Sequence, residues 1–328
     1  MTEASAPGKV ILFGEHAVVY GRPAIAVPVT QVRATAIVED SCPGEGITIV
    51  AQDLQQRHTV GQPANEAMRP LEMIVLKTLE QLGLSPQHDL RITIRSTIPI
   101  GRGMGSGAAV CTAIVRALAK HYGASLSAQE VSGLVYQAEV IYHSTPSGID
   151  NSVISFEQPV YFVRGKPLEF FRVEHPFRIA VADTGIFSPT KVAVGDVRQA
   201  WQRERERYEA IFEAIGRIAI AARAAIERGD QAMIGHLMDE NQALLRQLNV
   251  SSLELERLIA AAKGAGALGA KLCGAGRGGN MIALVTPKIE RDIVAAVRSA
   301  GATSVLVAEV GLPEPQISDP NLAPIRGS

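Results

Sequence analysis

A chain of 328 residues exceeds the length at which a single hydrophobic core stops growing, roughly 250 to 300 residues, so two domains are expected. Apolar residues at 47% and charged residues at 20% exclude a disordered chain, and 32 basic against 33 acidic side chains, a formal net charge of -1, exclude a nucleic-acid partner held by a global positive field. Three scattered cysteines without C-x-x-C spacing argue for reduced thiols in a cytoplasmic protein, and neither a leader nor a run of 18 apolar residues points to export or to a membrane.

From the N-terminus, Lys9 to Phe13 and Ile25 to Val38 read as strands. Between them GEHAVVYGRP (14–23) is a glycine-flanked turn carrying Glu15 and His16, its apolar end Val18 to Tyr20 expected to pair with the following strand. A third strand is expected over Gly46 to Ala51, then a polar surface loop over 52–65. Leu71, Ile74, Val75, Thr78, Leu79 and Leu82 share one face of a helix ended by Gly83. The alternating segment Leu90 to Ile98 is a strand that runs into PIGRGMGSGAA (99–109) and an apolar helix over 108–121. Ser127 with Glu130 forms a capping box opening a helix to about His143. Past Asn151 the segments VISF, VYFV and LEFF read as short strands.

A second domain is expected from Phe177, giving 1–176 and 177–328. RIAVAD is a strand and DTGIFSPT a hydroxyl-rich loop; Val192 to Arg228 reads as one long helix whose alternating Glu and Arg form a solvated face. Helices follow over 231–247 and 253–263, the latter opened by a Ser251/Glu254 capping box. The order then becomes strand 267–273, glycine turn 274–279, strand 280–285, helix 288–299 and strand 303–310. That order fits a four-stranded antiparallel sheet of the split βαβ kind with helices on one side. The tail from Pro313 is rich in proline and reads as poorly packed.

The glycine-rich stretch 99–109 joins a strand to a helix, where bare backbone and unpaired N–H groups at the positive end of a helix suit a phosphate. A tight turn before a buried helix explains it equally well, and no P-loop lysine follows Gly107. Phosphoryl transfer needs a polyphosphate cradle, hard oxygen ligands for Mg²⁺, and a group that orients the attacking hydroxyl. The glycine turn supplies the first, Glu139 and the Ser106 hydroxyl the second, and Asp150, kept ionised by Lys9, the third. Plainer roles are open for each: Glu139 can pair with His143 one turn on, Asp150 can cap a turn, and Cys111 and Cys273 suit buried apolar positions.

APGKVILFGEHAVVYG (6–21), PIGRGMGSGAA (99–109), HSTPSGIDN (143–151) and KLCGAGRGG (271–279) resemble, in order and across almost the whole chain, the signature segments of the GHMP kinases in the form carried by their mevalonate-phosphorylating branch. The resemblance implies an α+β GHMP kinase fold, with an N-terminal domain like ribosomal protein S5 domain 2 and a C-terminal ferredoxin-like α/β sandwich. It implies a kinase reaction with ATP as co-substrate, Mg²⁺ as cofactor and mevalonate as acceptor. Lys9 and Asp150 would be catalytic; Glu15, His16 and Thr190 would meet the substrate; Ser106 and Glu139 would hold the metal. The nucleotide phosphates would lie on Pro99, Gly101, Gly103, Met104, Gly105, Ser106, Gly107 and Ala108, with Gly274 and Gly276 bracing them. A homodimer is left open.

Three positions depart from the family pattern. Gly107 stands where a metal-binding serine is usual, Arg277 where a glycine is usual, and Ser144 likewise replaces a glycine. Arg277 has two directions open to it, a phosphate or solvent.

Overall fold

The structure, a computed structural model, describes residues 1–143 and 147–311, with the backbone alone described at 141–143. The expectations placed on Ser144, on His143 as a partner of Glu139 and on the tail from Pro313 lie outside the described residues.

The first sheet is built on one long strand. β2 (Ala24–Asp40) alternates strictly from Val32 onward, burying Val32, Ala34, Ala36 and Val38 while the residues between them face outward. It pairs antiparallel with β1 (Thr2–Phe13), with β5 (Leu90–Ser96) and with β6 (Val160–Phe162). β3 (Ile47–Ala51) joins β5 in parallel, β4 (Gln56–Thr59) and β7 (Glu169–Phe170) end the path through β2, and β1, paired with β2, lies off that path. Behind this sheet pack α1 (Arg69–Gln81), α2 (Ser106–His121), α3 (Ala128–His143) and α4 (Ile149–Phe156). α2 is the central one, touching β1, β2, α1, α3 and α4, which is why its residues are apolar on nearly every side.

The second sheet has the spatial order β11 (Ser304–Val310), β8 (Phe177–Asp183), β10 (Asn280–Val285), β9 (Gly269–Cys273), all antiparallel, as the split βαβ reading expects. One face is covered by α8 (Leu253–Gly264) and α9 (Glu290–Ser299) through Leu255, Leu258, Ile259, Ile293 and Val297. The other face is not left open. Phe177, Ile179 and Val181 of β8 with Ile282 and Leu284 of β10 belong to the same buried cluster as β1, β2 and α2. The helical hairpin of α6 (Arg205–Arg228) and α7 (Gln231–Gln247) straddles both cores.

Several local readings are corrected. Val18 to Tyr20 lies in a 3-10 helix, Ala17–Tyr20, closed by Gly21 in the left-handed region, and does not pair with β2. The stretch 52–65 holds a 3-10 turn and β4. VISF is the body of α4, because Gly148 at φ 90° starts a helix there and Val153 and Ile154 are buried against the core. The long helix after Val192 is two, α5 (Thr190–Arg203) and α6, broken at Glu204 with φ -127°. Ser252, not Ser251, caps α8, its hydroxyl accepting from the Leu255 amide, while the Ser127/Glu130 box is present as expected. No helix among the described residues is long and apolar enough to cross a membrane.

Candidate active site

The turn between β5 and α2 is shaped by glycine. Gly101, Gly103 and Gly105 have φ of 68°, 79° and 70°, and Gly105 is the residue from which α2 springs. A Cβ on Gly105 would sit 2.8 Å from Ile154 Cδ1 and 3.1 Å from Lys9 Cγ, so glycine is required there for space as well as conformation. Ser106, Gly107 and Ala108 form the first turn of α2, whose amides have no partner within the helix. They open on a cavity of about 460 Å³ with an apolar wall that includes Leu71, Ile94, Ile100, Val110 and Phe187.

The turn is braced from the second sheet. Asn280 Nδ2 donates to the Arg102 carbonyl at 2.6 Å, Arg102 Nε lies 3.2 Å from Asp183 Oδ2, and Gly103 packs against Cys273 and Gly274. Met104 is buried and its carbonyl accepts from the Lys9 amide at 3.0 Å. Met104, Pro99 and Gly276 therefore lie behind the cavity wall, whereas Gly274 is in it.

A second cavity of about 340 Å³ adjoins the first, lined by Lys9, Glu15, His16, Ser147, Asp150, Arg198 and Ala275 among others. The two share Gly103, Glu139, Asp150, Thr190 and Lys191. At that junction Lys9 Nζ lies 2.9 Å from Asp150 Oδ1. Burial works to lower the Lys9 pKa, but Asp150 and Glu139 outweigh it and hold the ammonium above its ordinary range. Asp150 sits in the first turn of α4, where the helix dipole favours a negative charge. Glu139 on α3 is 4% exposed, and burial, with Asp150 beside it, pushes its carboxyl up to about 8 against the opposing pull of Lys9.

His16 takes a positive φ of 61°, and its Nε2 donates to the Ala275 carbonyl at 3.0 Å. Burial lowers its pKa to about 4, so the imidazole is neutral near pH 7. With Nε2–H committed, Nδ1 is the free atom and it accepts; the charged bond to a carboxylate is not available to this ring. Thr190, first residue of α5, lines both cavities.

Family models described as the GHMP kinases N terminal domain and GHMP kinases C terminal match residues 69–158 and 222–303. A mevalonate kinase of Pyrococcus furiosus is 35% identical over 322 residues, covering 92% of this chain and 94% of that protein; one from Pyrococcus horikoshii is 36% identical, covering 96% and 98%. The chain belongs to the GHMP kinase family. Its fold is that of the L. major mevalonate kinase solved with R-mevalonate, at a TM-score of 0.82 and 28% identity over 94% of this chain and 96% of that one. As a GHMP kinase it is an ATP-dependent small-molecule kinase.

Three residues at or behind these cavity walls are not among the expected site residues. Lys191 and Arg198 stand with Thr190, Val194 and Gly195 on one face of α5, at spacings of four and eight residues, and Arg198 opens the charged run read as a solvated face. Lys271 of the KLCGAGRGG segment has no exposed surface and pairs with Glu15. Its signal was a lysine in a strand otherwise entirely apolar. Arg277, at φ 60° and partly exposed, pairs its guanidinium with Asp196 of α5 and donates from Nε to the Asn249 carbonyl at 3.4 Å.

Among the described residues no cluster of three or more His, Cys, Asp or Glu side chains is spaced to hold a metal ion. A Mg²⁺ ion riding on nucleotide phosphates needs only one or two protein oxygens. The Glu139 carboxylate and the Ser106 hydroxyl, both in the nucleotide-side cavity, fit that demand, and a buried carboxyl crowded by Asp150 is a place where a cation relieves repulsion.

Proposed function

We propose that this chain transfers the γ-phosphoryl group of ATP to the 5-hydroxyl of (R)-mevalonate, with Mg²⁺ bound at Glu139 and Ser106, between domains formed by residues 1–176 and 177–328. The observation that carries it is the Lys9–Asp150 pair at the shared wall of two cavities, one beside the glycine turn, the other lined by Glu15, His16 and Arg198. Names carried by relatives at 35% and 36% identity over nearly full length support the choice of acceptor.

The chemistry follows from the geometry. The triphosphate lies along the amides of Ser106, Gly107 and Ala108, with Lys9 and Lys191 near its reacting end. Mg²⁺, when bound, neutralises charge on the phosphate oxygens. Asp150 orients the acceptor hydroxyl and takes its proton as the new O–P bond forms and the bond to the bridging oxygen of ADP breaks. Lys9, 2.9 Å from Asp150 Oδ1, holds the carboxylate in place for that step. Arg198 offers the acceptor cavity the cation that a substrate carboxylate needs, a role His16 cannot fill as a neutral acceptor.

The test is a coupled ADP-release assay across mevalonate, phosphomevalonate, homoserine and galactose, run on the parent and on Asp150→Asn. Mevalonate is expected to be preferred by at least about tenfold in kcat/KM, roughly 1.4 kcal/mol in the transition state. Asp150→Asn is expected to lose about 10²-fold or more in kcat with nucleotide affinity little changed. Faster turnover of phosphomevalonate would transfer the assignment to a phosphomevalonate kinase, and an Asp150→Asn variant within about threefold of the parent would remove the base.

A further inference from the structure

Lys271 lies on β9 without exposed surface, and a bare ammonium that deep is costly. It is matched by one anion. Its Nζ donates to Glu15 Oε1, from the loop after β1, and to the Leu272 carbonyl at 2.6 Å. Glu15 is equally deep, at 1% exposure, and it lines the smaller cavity. Only one of its two oxygens is used: Oε2 is buried and has no hydrogen-bond partner among the described residues.

Glu15 lines a cavity with one carboxylate oxygen held and the other buried and unpartnered, an arrangement that leaves an acceptor to be satisfied by a ligand hydrogen bond. We propose that Lys271 is a positioning residue for the acceptor: it pins Oε1 of Glu15, so that Oε2 accepts from an acceptor hydroxyl other than the one phosphorylated. This rests on the reading of the smaller cavity as the acceptor site.

The charged and titratable groups facing Glu15 are Lys271 and Cys273 from β9, Lys9 from β1, and its neutral neighbour His16. Burial, the largest influence, raises the Glu15 pKa, and Lys271 is the main force opposing it. Removing the ammonium therefore takes away the main force opposing burial and drives the Glu15 pKa further up. A lysine that merely stapled the first sheet to the second would do nothing selective to the acceptor.

The experiment compares the parent, Lys271→Met, and the neutral pair Lys271→Met/Glu15→Gln in steady-state kinetics with ATP and mevalonate from about pH 5.5 to 8.5, with circular dichroism for folding. Parental turnover of mevalonate tests the functional reading itself, independently of the variants. For Lys271→Met we expect KM for mevalonate to rise about tenfold or more, KM for ATP to stay within about twofold, and the acidic limb of kcat/KM for mevalonate to move up by about one pH unit. An unmoved limb overturns the proposal, whether activity is parental or both substrates suffer alike. If Lys271→Met does not fold, the neutral pair decides. Loss of the acidic limb together with a higher KM for mevalonate supports the role, and a parental limb overturns it.

Discussion

At the residue scale, His16 converts burial into pH dependence. Its pKa falls from 6.5 to about 4 in the folded protein, because burial disfavours the imidazolium. A depressed histidine contributes stability that is fully present above about pH 6.5 and is lost as pH falls towards 4, on the order of 3 kcal/mol in all. Glu15 and Glu139, whose pKa values are raised, pull the other way in the acid range, so the contribution shows in a difference between two proteins. Urea unfolding at about pH 7, 5.5 and 4.5 is expected to give the parent a steeper loss than His16→Gln, which keeps an N–H for the Ala275 carbonyl but cannot charge. Parallel curves would show that the ring is not the titrating group.

At the element scale, the left-handed backbone of the glycine turn belongs to Gly101, Gly103 and Gly105, while Gly107 sits in the first turn of α2 with helical neighbours on both sides. Gly107→Ser is therefore expected to fold and to keep activity, with an apparent Mg²⁺ requirement equal to or lower than the parent's in a Mg²⁺ titration. A folded Gly107→Ser that needs several-fold more Mg²⁺ would mean that its hydroxyl does not join the metal shell. The same contrast explains what was legible in advance. The turn, the Ser127/Glu130 box, and the strands β8 to β11 with α7, α8 and α9 were written in local pattern. α4 was not, since Val153 and Ile154 are β-branched and favour a strand on their own, and it is burial against the core that overrides them. The break at Glu204 falls inside a run of strong helix formers. Lys9, Asp150 and Glu139 stand out in the sequence and the fold brings them together; Lys271 and Arg198 do not stand out, because what brings them to the cavities is a neighbour from a distant segment or the face of a helix.

At the scale of the whole molecule, the two sheets share one interior, while the far face of the second sheet packs a further core with α8 and α9. One buried cluster runs from β1, β2 and α2 through Phe177, Ile179 and Val181 into Ile282 and Leu284, with Ile218, Ala222, Ile226 and Leu237 closing its side. Two domains sharing an apolar core lose it together, so scanning calorimetry is expected to show one transition, unlike domains joined by a polar interface. Two resolved transitions, or a fragment 1–176 that folds alone with native circular dichroism, would refute this.

The Glu15–Lys271 and His16–Ala275 contacts join residues 256 and 259 positions apart. On the ribosome, an N-terminal half that has already been made holds a carboxylate and an imidazole destined for burial, with nothing yet synthesised to bury them against. The smaller cavity is closed only once the strand carrying Lys271 and the turn after it have been made. In refolding the same separation places those contacts among the costliest loops to close, so recovered turnover should trail recovered helix signal.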